Sequence, residues 1–233
     1  MKKIFLISLL FFSFKNTPSL KIQSHKTLHI PEPSGICVTN DQHYFVASNN
    51  GEFCEIDKSG KLIRSEKLGM DIEDVCAIGT DLYVMDESLR LVYVLDEQTW
   101  KLKATHSINY NGARNKGFES ITYLPEKKHF IVITEKQPLL LFETDENFNV
   151  LNQVNLIGIS DLSSATYYNN KLWLLSDEDH TVLKVNTDDF SVEKKYNVPI
   201  YNPEGICFDT DGTMRIVSDD CRRLYTFQNP EKQ

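Results

Sequence analysis

One pattern recurs along this chain at a nearly constant interval, and it limits the possible folds more than any other feature. Five segments open alike, at Ser34-Gly-Ile-Cys, Glu73-Asp-Val-Cys, Glu119-Ser-Ile-Thr, Ser163-Ser-Ala-Thr and Glu204-Gly-Ile-Cys, with spacings of 39, 46, 44 and 41 residues. Further along, each unit carries an apolar pair followed by polar or acidic residues. These are Val46-Ala-Ser-Asn49, Val84-Met-Asp-Glu87, Val132-Ile-Thr-Glu135, Leu174-Leu-Ser-Asp177 and Ile216-Val-Ser-Asp219. A third apolar stretch follows, such as Leu91 to Asp96 or Thr181 to Asn186, and then a more charged fourth, such as Val192 to Val198. The stretches are rich in β-branched and aromatic residues, which fit pleated strands. Asp57-Lys-Ser-Gly60 and Asp209-Thr-Asp-Gly212 read as hairpin turns. No amphipathic helix is evident. A unit of about 40 to 45 residues with four strands is a propeller blade.

The expected fold is therefore all-β, a five-bladed β-propeller over residues 20–233. The fifth unit has only three stretches, ending near Tyr225-Thr-Phe227. Ile22 to Ile30, ahead of the first unit, is expected to supply the missing outer strand. That would close the ring and remove its open edges.

The chain has 233 residues, with 33 acids against 25 bases and a formal net charge of -8. This balance disfavours a reader of the nucleic-acid backbone, which needs a basic surface, and suits a collector of cations. Lys2 and Lys3 precede an apolar run from Ile4 to Phe14, and Lys15 to Ser19 is polar with Pro18. That order predicts a signal peptide over residues 1–19, with an uncleaved membrane anchor as the rival. The run is short for a spanning helix, which needs about 20 residues. Loss of the leader's three lysines would take the charge to -11. The expected location is exported, periplasmic or attached to the plasma membrane. Of five cysteines, Cys37, Cys76 and Cys207 share one repeat position and are expected as buried thiols. Cys54 and Cys221 lie at related places, so one bridge between them is open.

In a propeller the loops entering the first strands and leaving the second strands share one face. The first aligned column reads Ser34, Glu73, Glu119, Ser163 and Glu204, and the second Asn49, Glu87, Glu135, Asp177 and Asp219. Asp86, Glu178 and Asp220 adjoin the second. Carboxylates repeated at one height around an axis repel one another unless a cation neutralises them. Carboxylate, amide and hydroxyl oxygens are hard ligands that suit calcium. The expected metal ligands are Glu73, Glu87, Glu119, Glu135, Asp177, Asp219 and Glu204. The competing reading is that each acid caps a turn through backbone N–H groups. The six histidines form no HxH or HxxxH pair, so zinc or copper is not expected.

Other constellations read more simply as structure. Asp209-x-Asp211-Gly212 lacks the spacing of an EF-hand and reads as a hairpin. Ser163 and Ser164 have no glycine elbow or histidine partner for a nucleophile. Arg222-Arg223 reads as a surface pair, Trp100 and Trp173 as packing residues, and His180 as an exposed loop residue. Arg114 and Lys136 are candidate anion contacts near the proposed face.

Glu32-Pro-Ser-Gly-Ile, Asn49-Asn-Gly-Glu52 with Ile56-Asp57, Asp71-Ile-Glu-Asp-Val, Asn115-Lys-Gly-Phe-Glu119, Leu175-Ser-Asp-Glu178 and Pro203-Glu-Gly-Ile206 resemble the SdiA-regulated family, also called YjiK/CarP, within the NHL-like propellers. The resemblance spans about residues 28 to 227. It implies a five-bladed propeller, calcium at a shared site, export or inner-membrane association, and a link to calcium homeostasis. Some members are described as phytase-like. The family's Glu-Gly at blade starts survives only at Glu204-Gly205, because Asp74 follows Glu73 and Ser120 follows Glu119; loss of glycine there is expected to narrow the channel.

Three functions follow from these readings. The first is a calcium-binding exported propeller with a binding or scaffold role. The second is a metal-dependent phosphoesterase or lactonase, with Glu119 or Glu135 as general base. The third is a metal-free platform for protein partners. A monomer is expected, with a small molecule or protein at the channel face.

Overall fold

The computed structural model describes residues 17–68, 71–110, 117–136 and 138–232. Twenty strands form five antiparallel four-stranded sheets. Blade 1 is β2(Pro33–Val38), β3(Tyr44–Ser48), β4(Glu52–Ile56) and β5(Leu62–Lys67). Blade 2 is β6(Ile72–Ile78), β7(Asp81–Asp86), β8(Leu91–Asp96) and β9(Leu102–Ser107). Blade 3 is β10(Ser120–Leu124), β11(His129–Ile133), β12(Leu140–Thr144) and β13(Val150–Asn155). Blade 4 is β14(Ser164–Tyr168), β15(Lys171–Ser176), β16(Thr181–Val185) and β17(Val192–Asn197). Blade 5 is β18(Pro203–Phe208), β19(Met214–Ser218) and β20(Arg223–Phe227), completed by β1(Ile22–Thr27).

The expected closure is present. β1 pairs antiparallel with β20, from Ile22 opposite Phe227 to Thr27 opposite Arg223. It is shorter than the expected Ile22–Ile30, because Leu28 and Ile30 turn inward and are buried between blades 5 and 1. Ser19 makes a parallel bridge to Asn197 of blade 4, and Leu20 is buried beside Tyr196 and Val198. The fold thus takes in Ser19, which the sequence pattern assigns to the leader; the leader's residues 1–16, with Arg114, Asn115 and Lys116, lie outside the described residues. Among the described residues the single helix is a 3-10 turn at Pro230–Lys232, and no helix is long and apolar enough to cross a membrane.

Burial falls from the axis outward. β3, in the middle of its blade, is wholly buried, whereas every residue of β1 is exposed. This gradient explains why the fourth stretch of each unit is the most polar. The apolar residues gather into five clusters, each shared by two neighbouring blades. Phe45 and Phe53 of blade 1, for example, meet Trp100 of blade 2 with ring centroids 6.3 and 4.9 Å apart. Each fully buried side chain of this size contributes about 1.5–3 kcal/mol, so the ring is held mainly by the interfaces between blades. Trp173 packs likewise against Tyr196 and Phe208. All five cysteines are free thiols, and Cys37, Cys54, Cys76 and Cys207 are buried.

The departures from Glu-Gly have a structural reason. Asp74 reaches across to blade 3, where its carboxylate accepts hydrogen bonds from Ser120 Oγ and from the Ile121 amide at 3.2 Å. Ser120 Oγ accepts one from the Ala165 amide of blade 4 at 2.8 Å. Ser164 Oγ does the same for the Ile206 amide of blade 5 at 3.3 Å. Three blade junctions are therefore stitched by side chains that stand where blades 1 and 5 have glycine. The remaining two are tight glycine contacts. A Cβ on Gly35 would lie 2.5 Å from the Asp74 Cα and 2.7 Å from the Glu73 carbonyl oxygen. Gly35→Ala is expected to destabilise the fold by about 1–3 kcal/mol, read as a lower urea midpoint at unchanged m-value; an unchanged midpoint would mean that blades 1 and 2 are not in this close contact.

A candidate cation site in the axial cavity

The inner strands β2, β6, β10, β14 and β18 surround the axis, each touching its two neighbours. Three of them carry a β-bulge where they start. Pro33 pairs with Ser48 and Gly35 with Ala47, Ile72 with Asp86 and Asp74 with Met85, Pro203 with Ser218 and Gly205 with Val217. The skipped residues are Ser34, Glu73 and Glu204, all of the first column. A bulge bends its strand and re-aims the extra side chain, and here that side chain turns toward the axis. Glu119 and Ser163 stand just before β10 and β14, tied by their amides to the carbonyls of Ile133 and Leu175 at 2.9 and 3.0 Å.

All ten residues of the two columns line one cavity of about 300 Å³. Glu32, Asp161, Lys136 and Glu178 also line it. Of the seven expected ligands none is left out of the wall. Asp71, Glu73 and Glu87 of blade 2 bring carboxylate oxygens within 4.8 Å of one another. Asp71, Glu32 and Asp161 were not legible as site residues from the columns alone. All three lie two positions before a first-column residue, and on an extended chain residues two apart face the same way; that alternation is the signal that would have found them.

The acids divide by what they touch. Asp161 is buried and its carboxylate is filled by Ser176 Oγ and by the amides of Asp177 and Glu178, both at 3.1 Å. Asp86, beside the second column, accepts the Leu89 amide at 2.8 Å. These two are turn caps, as the competing reading expects. Glu135 and Glu178 hold Lys136 between them, at 2.6 and 3.1 Å. Glu87 accepts the Gly117 amide at 3.0 Å. By contrast Glu73 is only 6% exposed and accepts no hydrogen bond from any described residue.

Burial and like charge act together on this wall. Burial, then Glu87, Asp71 and Glu204, push the Glu73 carboxyl up to about 9. Burial, then Asp177 and Asp219, raise Glu204 to about 8. Glu119 is raised well above the ordinary range by burial and by Glu73, Glu87 and Glu135. Glu87, Asp177 and Asp219 are raised as well, each mainly by burial. Below them, burial lifts Asp74 to about 7. Carboxyls raised in this way hold protons because burial and neighbouring carboxylates disfavour the charged form. Carboxylate, amide and hydroxyl oxygens around such a wall fit a hard divalent ion, and the convergence of Asp71, Glu73 and Glu87 gives it a seat. Among the described residues no histidine or thiol lines the cavity.

The remaining candidates have structural partners. Asp209 begins a hairpin, with the Asp209 amide on the Thr213 carbonyl and Gly212 at φ +85°, and its carboxylate binds Arg215 and Tyr44. Ser164 is consumed by its blade junction. His180 is exposed, with Nδ1 3.0 Å from the Ile200 carbonyl.

Among solved structures the chain is similar to the glutaminyl cyclase of Myxococcus xanthus, at 14% identity and a TM-score of 0.76 over 90% of this chain and 96% of that one. It is similar to the virginiamycin B lyase of Staphylococcus aureus, at 14% identity and a TM-score of 0.53 over 84% of this chain and 66% of that one. A protein from Bacteroides caccae matches at 12% identity and a TM-score of 0.60 over 80% of this chain and 70% of that one. At such identities these likenesses concern the fold alone. The sequence profile of the SdiA-regulated family matches residues 20–228. The match covers the five blades and the closing strand, and the chain belongs to the SdiA-regulated family.

Proposed function

We propose that this protein is an exported calcium-binding propeller with a binding or scaffold role linked to calcium homeostasis, and that its axial cavity is the calcium site. The observation that carries the reading is Glu73: a carboxylate 6% exposed, without a hydrogen-bond donor among the described residues, beside Asp71 and Glu87. Asp71, Glu73 and Glu87 would hold the ion, with Glu119 of the next blade on the same wall. A buried carboxylate left unpaired is costly, and an oxygen-seeking cation removes that cost. The leader pattern of residues 1–19 supports the exported location.

A phosphoesterase reading is less well supported. Among the described residues the cavity wall carries one cation, Lys136, and it is already paired to Glu135 and Glu178. Elsewhere on the described wall a phosphate would meet mostly carboxylates.

The test is thermal melting of chelator-stripped protein with calcium, magnesium or zinc added. Saturation at a hundred times the dissociation constant stabilises a fold by about 2.7 kcal/mol. A calcium-selective rise in Tm that Glu73→Gln removes is the expected result. No rise with any cation, or an undiminished rise in Glu73→Gln, would overturn the assignment.

A further inference from the structure

A second cavity opens on the propeller axis at the opposite face, and its wall has another chemistry. Cys37, Cys76, Thr122, Thr166 and Cys207 stand at one repeat position, three residues after the first column, and all five line this space of about 360 Å³. The hairpin loops after β2, β6 and β10 reach its mouth through Asn40, Gly79 and Pro125. The residues two positions before the five close the axis between the two cavities. A Cβ on Gly35 would meet the Asp74 Cα at 2.5 Å, and a Cβ on Gly205 would meet the Gly35 Cα at 2.9 Å. Hydrogen bonds through Asp74, Ser120 and Ser164 tie the other three junctions. The residues just before the five are Ile36, Val75, Ile121, Ala165 and Ile206, all apolar and buried. Alternation along a strand turns the next side chain the other way, and there every blade places a side chain with a sulfur or an oxygen. Among the described residues no charged side chain lines this space.

The three thiols belong to consecutive blades, 5, 1 and 2, with Cys37 in the middle. Each is at least nine-tenths buried, and no described side chain hydrogen-bonds to any of them. Cys54, by contrast, is packed in the core between blades 5 and 1 and faces neither axial cavity. Burial, then the nearby sulfurs of Cys76 and Cys207, raises the Cys37 thiol well above its ordinary value, and burial first raises Cys76 to about 12. Sulfurs in a wall without carboxylate or imidazole select a soft ion. Zinc takes four ligands from thiolate, imidazole or carboxylate, and three sulfurs with two threonine hydroxyls fall short of that set. Copper(I) is satisfied by two or three sulfurs. We infer that Cys37, Cys76 and Cys207 form a thiolate site for copper(I), on the axis at the face opposite the calcium seat. The three sulfurs do not all lie within 4.8 Å of one another. Cys37 with one neighbour is the first donor pair, and a change of staggered χ1 rotamer brings in the third. Each sulfur that binds gives up its proton to solvent, and the metal keeps its charge, so no oxidant or reductant is consumed. Histidine spacing gave no sign of this site because no imidazole takes part. The site stands or falls independently of the calcium seat.

The experiment is anaerobic titration of the reduced protein with copper(I), supplied as its acetonitrile complex. A single equivalent should bind, with an ultraviolet sulfur-to-copper charge-transfer band. X-ray absorption of the loaded wild-type protein should show a shell of sulfur donors, a readout that needs no variant to fold. Cys37→Ser removes a ligand, so it should weaken copper by more than the roughly 10–100-fold that loss of an outer-shell partner costs. Cys221→Ser, whose sulfur lies outside this wall, should bind as the wild type does. The calcium-dependent rise in Tm should be the same in Cys37→Ser, and Glu73→Gln should bind copper normally, because the two cavities are separate. Failure to bind copper, or a shell of nitrogen and oxygen donors, would overturn the site. Binding that survives Cys37→Ser, or that Glu73→Gln abolishes, would overturn it as well. Copper binding in a protein that takes no calcium would leave this site standing and sink the calcium reading alone.

Discussion

Asp209→Ala is expected to cost about 3–5 kcal/mol, the usual consequence of removing one partner from a buried ion pair. Asp209 is fully buried and Arg215 is 4% exposed. Arg215 Nε lies 2.9 and 3.1 Å from the two Asp209 oxygens, and its Nη2 lies 2.9 Å from one of them. Tyr44 of blade 1 donates its hydroxyl to the same carboxylate at 2.7 Å. The network crosses the junction of blades 5 and 1, where the ring closes. Alanine would leave a guanidinium in the interior with no counter-charge and would leave the tyrosine hydroxyl only the 3.4 Å contact to Gln42 Oε1. Urea denaturation should show the loss, and Asp209→Asn should recover part of it by keeping the acceptor for Tyr44. A cost below about 1 kcal/mol, the range of exposed pairs, would mean that the closing junction is open to water.

The second large effect is a dependence of stability on pH whose sign reverses with calcium. In the metal-free protein Glu73, Glu204 and Asp74 hold protons up to about 9, 8 and 7, well above the values of an unfolded chain. The folded state therefore binds more protons than the unfolded state from about pH 4 upward. The stability associated with these groups is fully present below the unfolded carboxylate range and is lost as pH rises through the folded values. Metal-free protein should lose on the order of a few kcal/mol between pH 5 and 9. With calcium bound, Glu73 and its neighbours are ionised in the folded state, so acidification removes stability instead. Melting curves over this range, with chelator and with calcium, check both slopes. Parallel slopes would contradict the account. In the metal-free protein Glu73→Gln should also remove part of this loss, because the amide cannot ionise as the pH rises.

Much of this was legible in the sequence because the blade repeats. Five copies of one pattern let weak signals add, so the strand count, the ring closure and the ten-residue wall follow from alignment. Bulges were not legible, since nothing in Pro33-Ser-Gly or Pro203-Glu-Gly states which residue skips its partner. Asp71 and Asp161 escaped because they lie outside the aligned columns, and Asp161 has become a cap through Ser176. The sequence also could not tell Asp86, which caps a turn, from Glu87, which lines the cavity; neighbouring residues on a strand end point to opposite sides. The role of Asp74 was hidden for another reason. It stands where blades 1 and 5 have glycine, and its use as a stitch to Ser120 and Ile121 depends on a blade 46 residues further on.

The central claim is that calcium enters the buried acidic wall and displaces its protons. Calorimetric titration of the stripped protein at pH 7, repeated in buffers of different ionisation enthalpy, counts those protons directly. Glu73 and Glu204 are protonated there in the metal-free state, so about one to two protons should leave per calcium ion bound, and Glu73→Gln should abolish both binding and release. Calcium binding with no proton release, or binding unchanged in Glu73→Gln, would place the ion elsewhere and contradict the account.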